Sequence, residues 1–516
     1  MREDMVGQSK IANPIRLWRT KITSVSLLVA LVMLPALVSA EHGEGAAPAV
    51  GPAQSPGGRI IERMKFPPLT FTPPKAERRV LPNGIILYLL EDHELPIFSL
   101  AARFRTGVVY EPAEKAGLAS LTGHLIRSGG TAAKTVEEIN EDLEFMAASV
   151  ETSIGLESGS ASLSCLSKDT AKALAIFADV LLNPAFREEK ITKRKDEVRE
   201  AIRRRNDRPG QVAEREHRKV IYGNHPYGRE VQGEMETLDR ITREDLIAFH
   251  KTYFRPNSVI MGVAGDFKTA EIIPMLQSAL AKWTRAPVDF PKVAPVKPDL
   301  RKSVNYVFKD ITQSHVHIGH LGIERTNPDF FPVMVMNFIL GGGSFTSRIE
   351  SKVRSDEGLA YSVYSYFDAP RDLGLFTAVC ETKLESTARA ITLMLDEIRR
   401  MRETPVSDDE LKLAIDSITN RFIFRFTDTA SIISQMVDIE YQDLPATYLD
   451  TYVDKVKAVT KADVQRVAQK YLHPDESALL VVGNKDKFDK PLDSFGPVNV
   501  ITLPEPAKPK ASASPK

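Results

Sequence analysis

Two hydropathy signals alternate along the chain: short apolar runs closed by glycine, and longer mixed stretches that open on a capping residue. Val259 to Ala264 and Ala478 to Val482 are uninterrupted apolar runs followed by Gly265 and Gly483, and they predict buried strands. Pro82-Asn83-Gly84 predicts a turn feeding a strand over Ile85 to Leu90, and Ser99 to Arg105 predicts another. Thr135 with Glu138, and Ser407 with Glu410, have capping-box spacing: a hydroxyl and a carboxylate three residues apart satisfy each other's free backbone N–H groups. A helix is predicted after each box, and a further, densely charged one over Glu188 to Arg205.

The pattern occurs twice. Ile241, Thr242, Asp245, Tyr253, Pro256 and Gly265 recur as Val459, Thr460, Asp463, Tyr471, Pro474 and Gly483, at an offset of 218 residues throughout. In each copy a Thr caps a helix that stops before a proline, and a buried strand follows. Helices and strands come in blocks without strict βαβ alternation. The fold class predicted is therefore α+β: two homologous domains of about 210 residues, each an antiparallel sheet packed with helices. The expected boundaries are 78–285 and 301–490, with a proline-bearing linker over 286–300 (Pro287, Pro291, Pro295, Pro298). Cys165 and Cys380 fall at near-equivalent places in the two copies. They should be too far apart for the roughly 7 Å reach of a disulfide, so two buried free thiols are expected.

Composition narrows the function classes. The 516 residues carry 68 basic and 68 acidic side chains and are 43% hydrophobic, which excludes disorder for most of the chain. Zero net charge argues against a surface built to neutralise nucleic-acid phosphates. Two cysteines exclude a disulfide scaffold and a Cys-rich zinc module. Arg16, Arg19 and Lys21 precede the apolar stretch Leu27 to Val38, which ends in Ser39-Ala40. Residues 1–40 therefore read as a secretory signal and the expected location is the periplasm; an uncleaved membrane anchor is the alternative. After cleavage no membrane association is expected. Residues 41–77 read as a flexible linker and Pro-rich arm, and 491–516 as a disordered tail.

Several motifs carry a resemblance. Leu81-Pro82-Asn83-Gly84, Gly117 to His124 followed by Gly130-Thr131, His225-Pro226-Tyr227-Gly228 and Gly265-Asp266 are similar, in order, to the insulinase/pitrilysin metallopeptidases, the family of mitochondrial processing peptidase. The resemblance covers about residues 78 to 490 and implies paired α+β domains facing each other across a chamber in which unfolded peptides are cut. Active members carry His-x-x-Glu-His on a helix and a further Glu about 76 residues on. Two His and the distant Glu hold zinc, and the intervening Glu takes a proton from the metal-bound water. Here the motif reads Ser120-Leu121-Thr122-Gly123-His124, with Glu200 at the distant position. His124 and Glu200 are the remaining ligand candidates, Ser120 and Gly123 replace a ligand and the base, and the metal centre reads as vestigial, with no zinc held firmly by this chain. Without the resemblance, His124 would be a core histidine and Glu200 part of a solvated charged face.

The second repeat keeps the family's other signature. Gly341-Gly342-Gly343, Ser347-Arg348, Arg354 and Gly358-Leu359-Ala360-Tyr361 match it. The resemblance implies that Arg354 and Tyr361 reach into the chamber and hold the peptide carbonyl and its developing oxyanion. The glycine run is no phosphate loop, because no Gly-Lys-Ser/Thr follows; a hinge or a close backbone approach to substrate is expected. In His315-Val316-His317-Ile318-Gly319-His320 two His share one face of a predicted strand and could bind metal, but no carboxylate or third His stands at a recognisable spacing from them, and the pair is expected to face solvent or peptide. In two-chain members one subunit brings the zinc motif and the other the Arg/Tyr pair. The leading expectation is the complementing subunit of a periplasmic zinc peptidase, whose partner is a homologous chain carrying His-x-x-Glu-His and the zinc. The alternatives are a non-catalytic peptide-binding or structural module, and an autonomous metalloendopeptidase with substitute ligands.

Overall fold

The computed structural model describes residues 72–297 and 300–504. The first sheet is built from β1 (Glu77–Val80), β2 (Ile86–Glu91), β3 (Ile97–Arg105), β4 (Ser149–Ile154), β5 (Ser158–Leu166) and β6 (Val259–Gly265), in the order β1-β2-β6-β3-β5-β4. The second is built from β7 (Ser303–Phe308), β8 (Gln313–Leu321), β9 (Ala360–Phe367), β10 (Leu375–Lys383), β11 (Ala478–Gly483) and β12 (Val498–Val500), in the order β12-β7-β11-β8-β10-β9. The duplication is visible in these orders: the antiparallel run β6-β3-β5-β4 corresponds to β11-β8-β10-β9.

Both sheets are mixed, where wholly antiparallel pairing was expected. β2 lies parallel to β6, and β7 parallel to β11. The reason is the chain between them: β6 returns to the sheet only after a long helical excursion, and such a crossover permits parallel pairing. The copies part at the outer strand. β1 pairs antiparallel with β2 through the turn at Gly84, whereas β12 arrives from the C-terminal end and lies parallel to β7. The tail expected over 491–516 is thus corrected at its start, because the open edge of β7 recruits Val498 to Val500 as a strand.

The four predicted helix caps all form as capping boxes. Thr135/Glu138 opens Val136–Phe145, Thr242/Asp245 opens Arg243–Tyr253, Ser407/Glu410 opens Asp408–Phe422, and Thr460/Asp463 opens Lys461–Tyr471. β6 and β11 are buried along their whole length, as their unbroken apolar runs require. Cys165 and Cys380 are buried free thiols on β5 and β10. Between Ala279 and Ser303, a span that includes the expected linker, the described residues form neither helix nor strand. The expected signal segment 1–40 and residues 41–71 of the expected arm lie outside the described residues, and no helix among the latter is long and apolar enough to cross a membrane.

Four helices position the candidate site: α1 (Leu118–Ser128), α2 (Glu188–Arg204), α3 (Pro209–Tyr222) and α4 (Thr429–Tyr441). The two halves exchange helices. α3, from the first half, packs on β11 and β8 of the second sheet, and α4, from the second half, packs on β6, β3 and β2 of the first. Val212 and Ala213 join Val307, Leu480 and Val482 in one interface, and Ile260 joins Val437 and Tyr441 in the other. Glycine lets the helices sit low on the sheets: a Cβ on Gly262 would lie 2.8 Å from Ile433 Cγ1, and one on Gly319 2.7 Å from His217 Cε1. Each buried aliphatic side chain contributes roughly 1.5–3 kcal/mol, whereas an exposed pair such as Arg105–Asp443 (2.9 Å) contributes under about 1 kcal/mol. Apolar burial holds the halves together.

Candidate functional site

The zinc-motif positions lie on α1, whose apolar positions Leu118, Leu121, Leu125 and Ile126 bury one face. Its free N-terminal amides are met from outside the helix. Gly117 N–H donates to Glu111 Oε1 (2.9 Å) and Ala119 N–H to Oε2 (2.8 Å). The helix then presses on β4. Thr152 Oγ1 donates to the Gly123 carbonyl at 2.7 Å, and a Cβ on Gly123 would stand 2.4 Å from the backbone nitrogen of Ile154 and 2.8 Å from the Ser153 carbonyl carbon. Strand backbone occupies the volume in which a carboxylate base would begin.

His124 stands on α1 and Glu200 on α2, and neither is placed as a free ligand. Burial first, then the charge of Arg194, holds the His124 imidazole below its ordinary value, with Glu197 opposing. Arg194 itself pairs with Glu197 at 3.0 Å. Glu200 is taken by Arg204 (2.6 Å) and Arg203 (3.4 Å), its neighbours on α2. Among the described residues no three His, Cys, Asp or Glu side chains are placed to hold a metal ion. The zinc implied by the family motif does not fit these residues: one ligand position is a hydroxyl, the base position has no room for a side chain, the remaining imidazole is half-buried and feels the positive charge of Arg194, and the distant carboxylate is ion-paired.

The Arg/Tyr signature is assembled differently. From Phe330 to Asp356 the chain is largely helical, with wide π-type turns over Phe338–Gly342 and Ser351–Asp356, the second carrying Arg354. Gly358, at φ +65°, ends this segment and turns the chain into β9. The register of β9 on β10 slips at its start: Ser362 faces Glu381 but Ala360 faces Thr382, leaving Tyr361 as a bulged extra residue. Ala360, Val363 and Ser365 keep the core side while Tyr361 stands 80% exposed, an edge-strand bulge re-aiming one side chain. The Arg354 guanidinium carbon lies 5.2 Å from the Tyr361 ring centre and 4.3 Å from that of Phe345, and Nη1 donates to Glu350 Oε1 at 2.9 Å. Arg354 and Tyr361 are therefore brought together.

Two partners of this pair had weaker signals. Glu350 stands one helical turn before Arg354, a spacing that sequence reading could have used. Phe345 has no such signal; only the fold shows its ring over the guanidinium. Arg348 from the same signature is structural, its guanidinium bonding both oxygens of Glu410 (2.6 and 3.0 Å) and pulling that carboxyl down to about 2. The close approach expected of the glycine run exists, but toward β9: a Cβ on Gly341 would lie 2.3 Å from Ser365 Oγ.

The histidines of β8 correct their expectation. His317 is 5% exposed, because α3 of the other half covers its face and the His217 ring lies tilted 5.5 Å from it, and His320, on the opposite face, is 2% exposed against Phe376 and His473. His315 pairs with Glu381 at 3.2 Å. Glu214, His217, Arg218, His317, Tyr366 and Asp368 are among the residues lining a small, partly open cavity of about 130 Å³ at this interface.

Comparison with known proteins bears on most of the chain. Residues 89–234 match a family model described as Insulinase (Peptidase family M16), and residues 240–418 one described as Peptidase M16 inactive domain. A Bacillus subtilis protein named uncharacterized zinc protease YmxG is 24% identical over 406 residues, 78% of this chain and 98% of that protein. A Helicobacter pylori protein named non-peptidase homolog YmxG is 23% identical over 403 residues, 77% of this chain and 91% of its own. The solved structure of a peptidase M16 inactive domain from Pseudomonas fluorescens superposes with a TM-score of 0.73 at 26% identity, covering 79% of this chain and 98% of that one.

Proposed function

Because the chain belongs to the insulinase (M16) peptidase family, we propose that it is the zinc-free subunit of a two-chain peptidase, supplying Arg354 and Tyr361 to substrate while a homologous partner carries His-x-x-Glu-His and the metal. The observation that carries this is a division within one molecule. The Arg/Tyr pair is built and presented, and the position of the general base is filled by the backbone of β4. A guanidinium and a phenol beside a scissile peptide can hold a carbonyl and stabilise the charge that develops on its oxygen. They cannot generate a nucleophile, which a partner's zinc-bound water would supply.

The substrate class in this reading is unfolded peptide. The reading includes export to the periplasm, supported only by the residue pattern of 1–40. The test is to titrate the chain into a homologous chain with the full motif and follow cleavage of an unstructured fluorogenic peptide. Stimulation that saturates at a fixed ratio, and falls when Tyr361→Phe is used, is the expected result. A mixture no faster than the partner alone overturns the proposal. Peptide binding without any gain in turnover would point to the second reading, a non-catalytic peptide-binding module, which the non-peptidase name of the Helicobacter pylori relative favours.

A further inference from the structure

A cavity of about 430 Å³ opens in the second half, where the start of helix Phe330–Asn337 meets helix Tyr448–Lys457. None of its lining residues belongs to α1, to α3 or to the Arg354/Tyr361 pair. Its walls are rings: Phe331 and Tyr448 are buried with centres 5.9 Å apart, and Phe330 stands edge-on to Phe331 at 5.6 Å. Two cations lie on these rings. The Arg325 guanidinium carbon is 4.2 Å from the Phe330 centre and 5.4 Å from that of Tyr448, and Lys455 Nζ is 5.4 Å from that of Phe331. Arg325 is anchored at two points: its backbone N–H donates to the Pro370 carbonyl (2.8 Å) and its Nη2 to the Tyr448 hydroxyl (3.0 Å). Among the described residues neither Arg325 nor Lys455 forms an ion pair with a carboxylate. The acids at hand are committed elsewhere. Asp463, which lines the cavity, accepts from Thr460 N–H (3.1 Å), Thr460 Oγ1 (2.6 Å) and Arg466 (3.3 Å), and Asp329 is held by Arg466 (2.8 Å) and Lys470 (3.0 Å).

We infer that this cavity is a binding site for a small aromatic carboxylic acid, its ring among Phe330, Phe331 and Tyr448 and its carboxylate met by Arg325 and Lys455. The inference does not rest on the complementing-subunit reading. The volume falls in the roughly 300–1,000 Å³ range of small-molecule sites, which combine apolar walls with a few placed polar groups. A carboxylate is the natural partner of a guanidinium, and Nη1 of Arg325, which makes no hydrogen bond among the described residues, is open to it. The ligand ring packs offset or edge-on against rings already there and releases their water. An amine would leave both cations unanswered, and a bare inorganic anion would leave the rings wet, so charge and ring are both required.

Calorimetric titration of the purified full chain at neutral pH with phenylpropionate, phenylpropionamide and acetate separates the two requirements. The acid should bind saturably, and the amide and acetate roughly tenfold more weakly or worse. Arg325→Lys, which keeps the charge but loses the planar fork, and Lys455→Gln should each weaken the acid by roughly threefold to tenfold and leave the amide little changed. Lys455 is exposed, so its variant is expected to fold even where Arg325→Lys disturbs the packing, and thermal melts check both. No saturable binding of the acid up to about 10 mM overturns the inference. So does equal binding of acid and amide, or binding unchanged in both folded variants. Each of these results leaves the complementing-subunit reading to its own test, partner-stimulated cleavage.

Discussion

Gly123 lies against Ile154 so closely that a side-chain carbon on it would stand 2.4 Å from that residue's backbone nitrogen. The contact shows why the incomplete zinc motif is more than a missing side chain. In a peptidase with the full motif the same position needs a carboxylate and space for water. Here helix α1 has settled on β4, with Thr152 holding the Gly123 carbonyl. Loss of the base and closure of its space belong to one packing arrangement.

Restoring the motif letters should accordingly fail. Gly123→Ala should destabilise by about 1–3 kcal/mol despite alanine's better helix propensity, because backbone on both sides must move. Ser120→His with Gly123→Glu should destabilise further and recruit no stoichiometric zinc. Denaturant unfolding and elemental analysis of the purified variants check both statements.

The Arg354 pair separates into a stability part and a functional part. Glu350 is 5% exposed and loses its cation in Arg354→Ala, so that variant should unfold about 1–3 kcal/mol more easily. Adding Glu350→Gln should recover most of the loss. Tyr361→Phe touches only an exposed hydroxyl and should shift stability by less than about 0.5 kcal/mol while lowering partner-assisted turnover roughly 100-fold. Unfolding curves beside single-turnover rates distinguish the two parts.

Acid should loosen the fold through its buried imidazoles. Burial lowers His217 and His250 to about 4 and His320 to about 3, from 6.5. Once unfolded, these rings take protons near pH 6.5, whereas in the fold they do not until about pH 4 or 3. The unfolded chain therefore binds more protons, and stability falls as pH drops through that window. The loss is on the order of 2 kcal/mol per histidine at pH 5, and nothing is gained from these groups above pH 7. Buried His317 is lowered too, so melting at pH 7 and pH 5 reads the joint drop, and His217→Gln should remove only part of it.

Both thiols should be silent in the native protein. Cys165 and Cys380 are buried on β5 and β10, and burial pushes the Cys380 thiol up to about 12. A thiol reagent at pH 8 should label neither until denaturant is added, and then both. Rapid native labelling would contradict the packing.

What the residues made legible was whatever is written locally. Thr242 with Asp245 and Thr460 with Asp463 announce their helices by spacing alone, and their constant offset exposes the duplication. Arg354 and Tyr361 could be paired because a signature surrounds them. What depends on the other half of the molecule was not legible. The alternating histidines of β8 look like an exposed face until α3 covers them. The mixed sheets follow from where β6 and β11 re-enter, and β12 follows from an open edge that no local pattern records. The bulge at Tyr361 and the ring of Phe345 over Arg354 likewise arise from register and loop geometry.

That this polypeptide alone cannot activate water on a metal is part of the function proposed above. Its most direct test is to purify the wild-type chain without any partner, measure bound zinc, and follow hydrolysis of an unstructured peptide with and without chelator. Substoichiometric zinc and no chelator-sensitive hydrolysis are expected. One zinc per chain, with chelator-sensitive cleavage that survives Arg354→Ala, would contradict it.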